Sequence, residues 1–155
     1  MHIALLGFAF LIGVLVPVQA ALNHSLKVTA DSGAVFAALI SFIVGTLALV
    51  VLNLASGEKW ISVQKLGDAS LWQFAGGLIG AMFVFGTTLL APRIGLADMA
   101  CLIIAGQILA SLAFDRFGLL GLATREIGAA RMIGAVLVIA GALLVNYGDR
   151  LKLGS

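Results

Sequence analysis

Charged residues are scarce in this chain, and their scarcity excludes a water-soluble domain. Only 10% of the 155 residues are Asp, Glu, Lys or Arg, whereas 62% are hydrophobic. A typical soluble domain has about 25% charged residues, so this chain has too few charges to cover a surface that faces water. The sequence therefore predicts an integral membrane protein whose main surroundings are the lipid bilayer.

Cysteine and catalytic motifs are also missing or nearly so. Cys101 is the only cysteine, and it lies inside an apolar run, so the sequence indicates neither a disulfide framework nor a Cys/His metal site. It contains no Ser/His/Asp constellation, no glycine loop followed by lysine and no HExxH motif. No basic run points to nucleic acid. We therefore predict a protein that is not an enzyme, with no cofactor, no metal and no nucleic-acid partner.

Long apolar runs fill most of the chain. They cover residues 2–20, 33–54, 71–90, 96–114 and 129–147. Each has about the 20 residues that a helix needs to cross a hydrocarbon core of about 30 Å. The sequence thus predicts an all-α membrane protein with five transmembrane helices, forming a single domain over residues 1–155. The first run could instead be a cleaved signal peptide, but residues 1–5 contain no Lys or Arg, which favours a retained helix.

Prolines, glycines and polar residues mark the predicted helix ends. Pro17 interrupts the first run near its end, and Pro92 ends the third because proline has no N–H to donate. Asp68 and Ser70 are candidate N-caps for the third helix. The segment 117–127 is too short to span and is expected to form a partial helix in the membrane interface. Glycines close the second, fourth and fifth helices, at Gly57, Gly118 and Gly148.

The positive charges are divided almost equally between the two sides of the membrane. With five spans, one side collects Lys59, Lys65, Arg116, Arg125 and Arg131, and the other collects Lys27, Arg93, Arg150 and Lys152. A difference of five against four fixes no orientation under the positive-inside rule. One interpretation is a single topology set by other features. The other is that the chain inserts both ways up and pairs as an antiparallel homodimer of ten helices, an inverted symmetry typical of secondary transporters.

Small residues recur at four-residue spacing within the spans. Such stripes allow helix backbones to approach closely in lipid, where no hydrophobic force drives packing. They predict either ordinary packing within one subunit or a contact surface between subunits. The candidate packing glycines are Gly45, Gly76, Gly80, Gly106 and Gly134.

Uncharged polar residues within the spans are the candidate substrate contacts. Gln19 and Asn23 are four residues apart just after Pro17, so they share a helical face. Gln107 and Ser111 have the same spacing in the fourth run. Ser41 lies in the middle of the second run. A polar group in lipid requires a partner, so these residues serve either as interhelical hydrogen bonds or as ligands for a substrate, with Phe83 as a candidate aromatic contact.

No carboxylate lies at the centre of a span. Asp115 continues the face of Gln107 and Ser111, and Asp98 lies at the opposite end of the same run. They are the candidate residues for coupling transport to an ion, because a transporter needs a group whose charge can change. Their alternative role is helix capping, or pairing with Arg116 or Arg93.

Several of these motifs together resemble one family. The sequence is similar to the YdcZ-like small inner-membrane proteins of the drug/metabolite transporter superfamily. The matching positions are Gln19, Asn23, 40–45, 77–84, 95–97, Gly106, Gln107, Asp115, Gly134 and Gly141. The resemblance implies five helices per unit, a bacterial inner-membrane location, an export role and antiparallel assembly. The first helix lacks the mid-span Glu of the related small multidrug exporters.

The expected function is therefore transport of a small molecule across the membrane. The mostly uncharged polar residues favour a neutral or amphipathic metabolite, exported by alternating access in an antiparallel homodimer. The alternative is a membrane subunit that transports nothing and packs against a partner through its glycine-rich helix faces.

Overall fold

The computed structural model describes residues 2–57 and 67–148, and these ranges contain five long helices. The helices are α1 (His2–Thr29), α2 (Ala34–Ser56), α3 (Ala75–Ile94), α4 (Leu96–Phe117) and α5 (Ala129–Tyr147), with short 3-10 turns at Leu71–Phe74 and Leu119–Gly121. All five are long and apolar enough to cross a membrane, and no strand occurs in the described ranges. The predicted all-α class with five spans is confirmed. Lys59, Lys65, Arg150 and Lys152 lie outside the described residues.

Helix α1 is much longer than its apolar run. It continues through Pro17 to Thr29, well beyond the predicted end of the run at residue 20, so Asn23 and His24 both lie in the helix. Proline removes one backbone hydrogen bond, and the remaining bonds on either side carry the helix onward. At 1.5 Å per residue, its 28 residues extend about 42 Å. The apolar run corresponds only to the part of the helix that would lie in the hydrocarbon core.

Helix α3 also differs from its prediction at both ends. Its apolar run opens with the 3-10 turn Leu71–Phe74, where the Ser70 N–H donates to Gln73 Oε1 at 2.9 Å. At the other end Pro92 lies inside the last turn, and the helix ends at Ile94. Loss of one N–H so close to a helix end leaves the last turn intact, and Gly95, with φ of 88°, then ends it. The prediction that Pro92 ends the helix is wrong by two residues.

A tight left-handed turn follows α4. Gly118 has φ of 59°, a conformation that glycine adopts without steric cost. A Cβ atom at this position would lie 2.8 Å from Thr124 Cγ2 and 3.0 Å from the Leu122 carbonyl oxygen. The Arg125 N–H donates to the Asp115 carbonyl at 2.8 Å, so the returning loop satisfies a carbonyl of the last helical turn. Beyond the 3-10 turn the chain has no helix until residue 129, so the partial helix predicted over 117–127 is wrong.

The chain divides into two compact units, Met1–Arg93 and Ile94–Ser155. In the first unit α1 packs on α2, and in the second α4 packs on α5. Small side chains are prominent among the buried residues of α1 and α2, including Ala20, Ala34, Ala37 and Ala38. Small side chains permit the close backbone approach that stabilises helix pairs in lipid. In α3 the hydroxyls of Thr87 and Thr88 donate to the Val84 carbonyl, at 3.1 and 2.8 Å, which leaves them little capacity for other contacts.

Candidate functional site

The polar contact between α1 and α2 joins two of the predicted site residues. The Ser41 hydroxyl donates to Asn23 Oδ1, and Asn23 is only 4% exposed. This interhelical bond satisfies the oxygen of a carboxamide that the apolar surroundings would otherwise penalise. Asn23 Nδ2, however, finds no acceptor among the residues that the structure describes. The first unit therefore holds a buried amide N–H that remains available to a hydrogen-bond acceptor.

A small cavity, which we name the polar groove, lies beside this contact. Its volume is about 170 Å³, and it is lined by Gln19, Ser41, Phe42, Gly45, Thr46, Leu49 and Val84. One carboxamide and two hydroxyls thus face the same space, together with an aromatic ring. No charged side chain lines it. Such a lining can bind an uncharged group that donates and accepts hydrogen bonds.

The second unit brings together the polar residues of α4. Gln107, Ser111 and Asp115 line one cavity of about 350 Å³ with Ala110, Phe114 and Leu122; we name it the α4 groove. The four-residue spacing places these three polar side chains along one face of the helix. Leu122 comes from the loop that Gly118 turns back toward α4. The groove offers a carboxamide, a hydroxyl and a carboxylate beside an aromatic ring.

Asp115 forms an ion pair with a residue of α5. Arg131 Nη1 lies 3.2 Å from Asp115 Oδ2, with side chains that are 49% and 32% exposed respectively. The ion pair considered as an alternative role for Asp115 is therefore present, but with Arg131 and not with Arg116. Arg116 follows Asp115 directly, and successive residues point to different sides of a helix, whereas Arg131 lies on the helix that packs against α4. Exposed pairs of this kind typically contribute about 0.2–1 kcal/mol. In the described part of the chain, no group of three His, Cys, Asp or Glu could hold a metal ion.

The other two predicted residues lie away from these grooves. Asp98 is half-buried in the first turn of α4, and its backbone carbonyl accepts from Asn146 Nδ2 at 3.4 Å. Phe83 is half-buried on α3, but the next residue, Val84, is the one that lines the polar groove. Phe42 is the aromatic residue of that groove, and the sequence reasoning missed it. Its signal was its position next to Ser41, the polar residue in the middle of the second run.

The candidate packing glycines have different surroundings. A Cβ on Gly80 would lie 3.4 Å from the Phe42 ring, whereas Cβ atoms on Gly45, Gly76, Gly106 and Gly134 would meet no described atom within 4 Å. Gly45 instead lines the polar groove. The helix faces at Gly76, Gly106 and Gly134 are therefore open within the described part of one chain. Their role in packing between subunits stays a prediction.

Five apolar helices with uncharged polar residues between them define a multi-pass helical membrane protein. A family described as "Putative inner membrane exporter, YdcZ" matches residues 4–144, so the chain belongs to the YdcZ family. The resemblance identified from the sequence is thereby confirmed, as is a multi-pass location in the inner membrane. The family is one of transporters rather than enzymes. No curated protein and no solved structure matches the chain.

Proposed function

We propose that the chain exports a small neutral or amphipathic metabolite through the inner membrane. The observation that supports this most directly is the buried Asn23 amide, bonded to Ser41 and retaining a free N–H. A carboxamide that served only to join two helices would not need the adjoining groove lined by Gln19 and Ser41. The uncharged lining favours a substrate without a formal charge, because a buried ion requires an opposite charge nearby.

The proposal assigns each polar residue a role. Gln19, Asn23 and Ser41 donate and accept hydrogen bonds in the first unit, and Gln107 with Ser111 does so in the second. Phe83 provides an apolar contact. Asp115 and Asp98 are the proposed coupling residues, and Asp115 can act in this way only if it releases Arg131 in one conformation. That exchange would tie a change of charge to a movement between α4 and α5.

An antiparallel homodimer that works by alternating access is part of the same proposal. The nearly equal charge counts on the two sides support insertion in both orientations. The open faces at Gly76, Gly106 and Gly134 support contacts between copies. We expect a reporter fused to the C-terminus to be found on both sides of the membrane, and two or three added lysines on one face to fix a single orientation. A wild-type C-terminus found on one side alone would exclude the antiparallel homodimer.

Export is tested with purified protein in liposomes. The vesicles are loaded with a panel of neutral and cationic solutes, and efflux is measured by mass spectrometry. We expect efflux of neutral solutes that falls at least tenfold in Asn23→Leu, because leucine has similar bulk but neither a donor nor an acceptor. Leu47→Ala is the control, since Leu47 is exposed on α2 and lines neither the polar groove nor the α4 groove. Wild-type vesicles that retain every solute would contradict the proposal.

The second candidate function is a membrane subunit that transports nothing. The open glycine faces favour it to the same degree as they favour a homodimer, because both need a partner helix there. This candidate predicts no efflux for any solute, together with a stable complex containing a different membrane protein. Cross-linking in membranes through cysteines placed next to Gly76 and Gly134 distinguishes it from a complex of two identical chains.

A further inference from the structure

We infer that the substrate binds in two parts, a polar head and an apolar body, and that Phe42 lies between them and determines which substrates fit. This inference rests on the proposed function and narrows its substrate class. It follows from a second cavity in the first unit, which we name the apolar groove. That cavity has a volume of about 410 Å³, and it is lined by Val35, Ala38, Leu39, Phe42, Ala81, Met82 and Phe85.

The two cavities share one residue and differ in chemistry. Phe42 lines both the apolar groove and the polar groove. Every other residue of the apolar groove is aliphatic, aromatic or Met, so that groove offers no side-chain hydrogen bond. The polar groove has a carboxamide and two hydroxyls. A molecule that contacts both sides of Phe42 must therefore be amphipathic.

The volumes indicate that neither part of the site is sufficient alone. Small-molecule sites usually measure about 300–1,000 Å³. The polar groove, at about 170 Å³, is below this range and accommodates only a small polar group. The apolar groove, at about 410 Å³, is within the range but cannot orient a ligand, because orientation requires polar contacts. Together the two grooves provide enough volume for a small molecule and the polar contacts that orient it.

The position of the Phe42 ring depends on α3. A Cβ on Gly80 would lie 3.4 Å from the Phe42 Cζ atom, so an alanine at this position would just reach van der Waals contact with the ring tip. Any side chain at position 80 larger than alanine would push the ring toward one groove and change the volumes of both. The residues Gly80 and Phe42 thus determine where the polar groove ends and the apolar groove begins.

The polar head is expected to be uncharged and to accept a hydrogen bond. The Gln19 carboxamide and the Ser41 and Thr46 hydroxyls line the polar groove, and each can both donate and accept a hydrogen bond. Asn23, which bonds to Ser41, has a further free N–H behind this lining. Neither groove is lined by a carboxylate or a basic side chain. An amide or hydroxyl head fits these donors and acceptors, whereas an ammonium head would have no counter-charge.

The apolar groove could also hold a lipid acyl chain or the helix of a second copy. The substrate body is favoured because the groove adjoins, at Phe42, the polar groove with its carboxamide and two hydroxyls. A bulk lipid chain needs no such adjoining polar group. The three occupants make different predictions for a photoreactive probe.

The test uses N-alkylacetamides of four to twelve carbons with a diazirine at the end of the tail. Purified protein is placed in vesicles of phosphatidylethanolamine and phosphatidylglycerol, and labelled residues are mapped by mass spectrometry. We expect saturable labelling within residues 35–42 and 81–85 that unlabelled N-alkylacetamide displaces. An alkylammonium probe of equal length should label at least tenfold less. Phe42→Ala should extend the longest tail that binds, because removal of the ring joins the two grooves.

Matched variants on α2 identify the groove as the site. Leu39→Trp fills the apolar groove and should lower saturable labelling at least tenfold, while Leu47→Trp, an equally large change on the same helix outside both grooves, should leave it unchanged. Leu39→Phe is a smaller filling change for use if the tryptophan variant does not fold, as judged by circular dichroism and size-exclusion chromatography.

Three results would overturn the inference. Labelling that does not saturate, or that is equal in Leu39→Trp, would show that bulk lipid fills the groove. No probe adducts in the groove, together with disulfide cross-links between two chains that both carry Leu39→Cys, would show that a second copy covers it. Stronger labelling by the ammonium probe would exclude a neutral head. Saturable labelling without solute efflux in the liposome assay would support the two-part site and contradict export, so the two proposals fail separately.

Discussion

The hydrogen bond between Ser41 and Asn23 yields the most quantitative prediction. Ser41→Ala removes the hydroxyl that donates to Asn23 Oδ1 and leaves a carboxamide that is 4% exposed with neither polar atom bonded within the described part of the chain. A buried group that loses its partner costs about 1–3 kcal/mol. Asn23→Leu removes both polar atoms and keeps a similar volume, so its cost should be smaller, about 1 kcal/mol or less.

The two changes should not be additive. In the Asn23→Leu background the Ser41 hydroxyl has already lost its acceptor and can bond to its own helix, so Ser41→Ala should then change stability very little. The coupling free energy should therefore be close to the whole cost of Ser41→Ala in the wild type, about 1–3 kcal/mol. The lower part of this range overlaps the strongest interhelical bonds in membranes, about 1.7 kcal/mol. Such a value would represent a bond that the folded protein makes in the bilayer.

The assay is reversible unfolding in mixed micelles of lipid and denaturing detergent, followed by circular dichroism. Four proteins complete the cycle: wild type, each single variant and the double variant. Thr87→Ala combined with Asn23→Leu is the control pair, because the Thr87 hydroxyl bonds within α3 and its change should simply add. A coupling energy within error of zero for Ser41 and Asn23 would refute the reasoning, since it would mean that the bond contributes nothing to the folded state.

Three further changes test the rest of the molecule. Gly118→Ala should lower the free energy of unfolding by about 1–3 kcal/mol, because a left-handed φ costs about 1–2 kcal/mol and the new Cβ would clash. The control Gly128→Ala, at a position with open space and φ of −67°, should change the free energy of unfolding by about 0.5 kcal/mol or less. Equal losses of stability in the two variants would contradict the turn geometry. Gln107→Leu should keep stability within about 1 kcal/mol and lower solute efflux at least tenfold; lost stability with normal efflux per molecule would make Gln107 structural. Arg131→Gln should change the free energy of unfolding by about 1 kcal/mol or less, and the change should disappear at high salt. A larger loss of stability would mean that the ion pair with Asp115 is shielded from water.

The sequence predicted the helices well wherever apolar length and helix length agree. Helix α5 begins and ends at the predicted residues, and Gly57 and Gly118 end α2 and α4 in left-handed conformations as predicted. Helix α1 was underestimated because Asn23, His24 and Lys27 reduce the apolar signal, although none of them interrupts a helix as strongly as glycine or proline does. Hydropathy measures the thickness of the hydrocarbon core, and a helix is free to continue beyond it.

The grooves were partly predictable. Regular spacing placed Gln107, Ser111 and Asp115 on one face of α4, because a single helix converts sequence separation directly into direction. The contact of Asn23 with Ser41 and the role of Phe42 depend on how α1, α2 and α3 meet. No periodicity within one helix contains that information. The same limitation explains why the alternative role considered for Asp115 named its sequence neighbour Arg116 and not Arg131, which lies on another helix.

The passage of α1 through Pro17 has a mechanical consequence. Without an N–H at position 17, the Gly13 carbonyl has no backbone donor one turn later, and a Cβ at Gly13 would meet no described atom within 4 Å. We therefore expect the helix to bend more easily between these two residues than where every backbone hydrogen bond is present. Such bending would tilt the segment that carries Gln19 and Asn23 relative to the N-terminal half of the helix. If Gln19 and Asn23 bind substrate as proposed, their movement would require only the elastic bending of one helix, with its remaining backbone hydrogen bonds preserved.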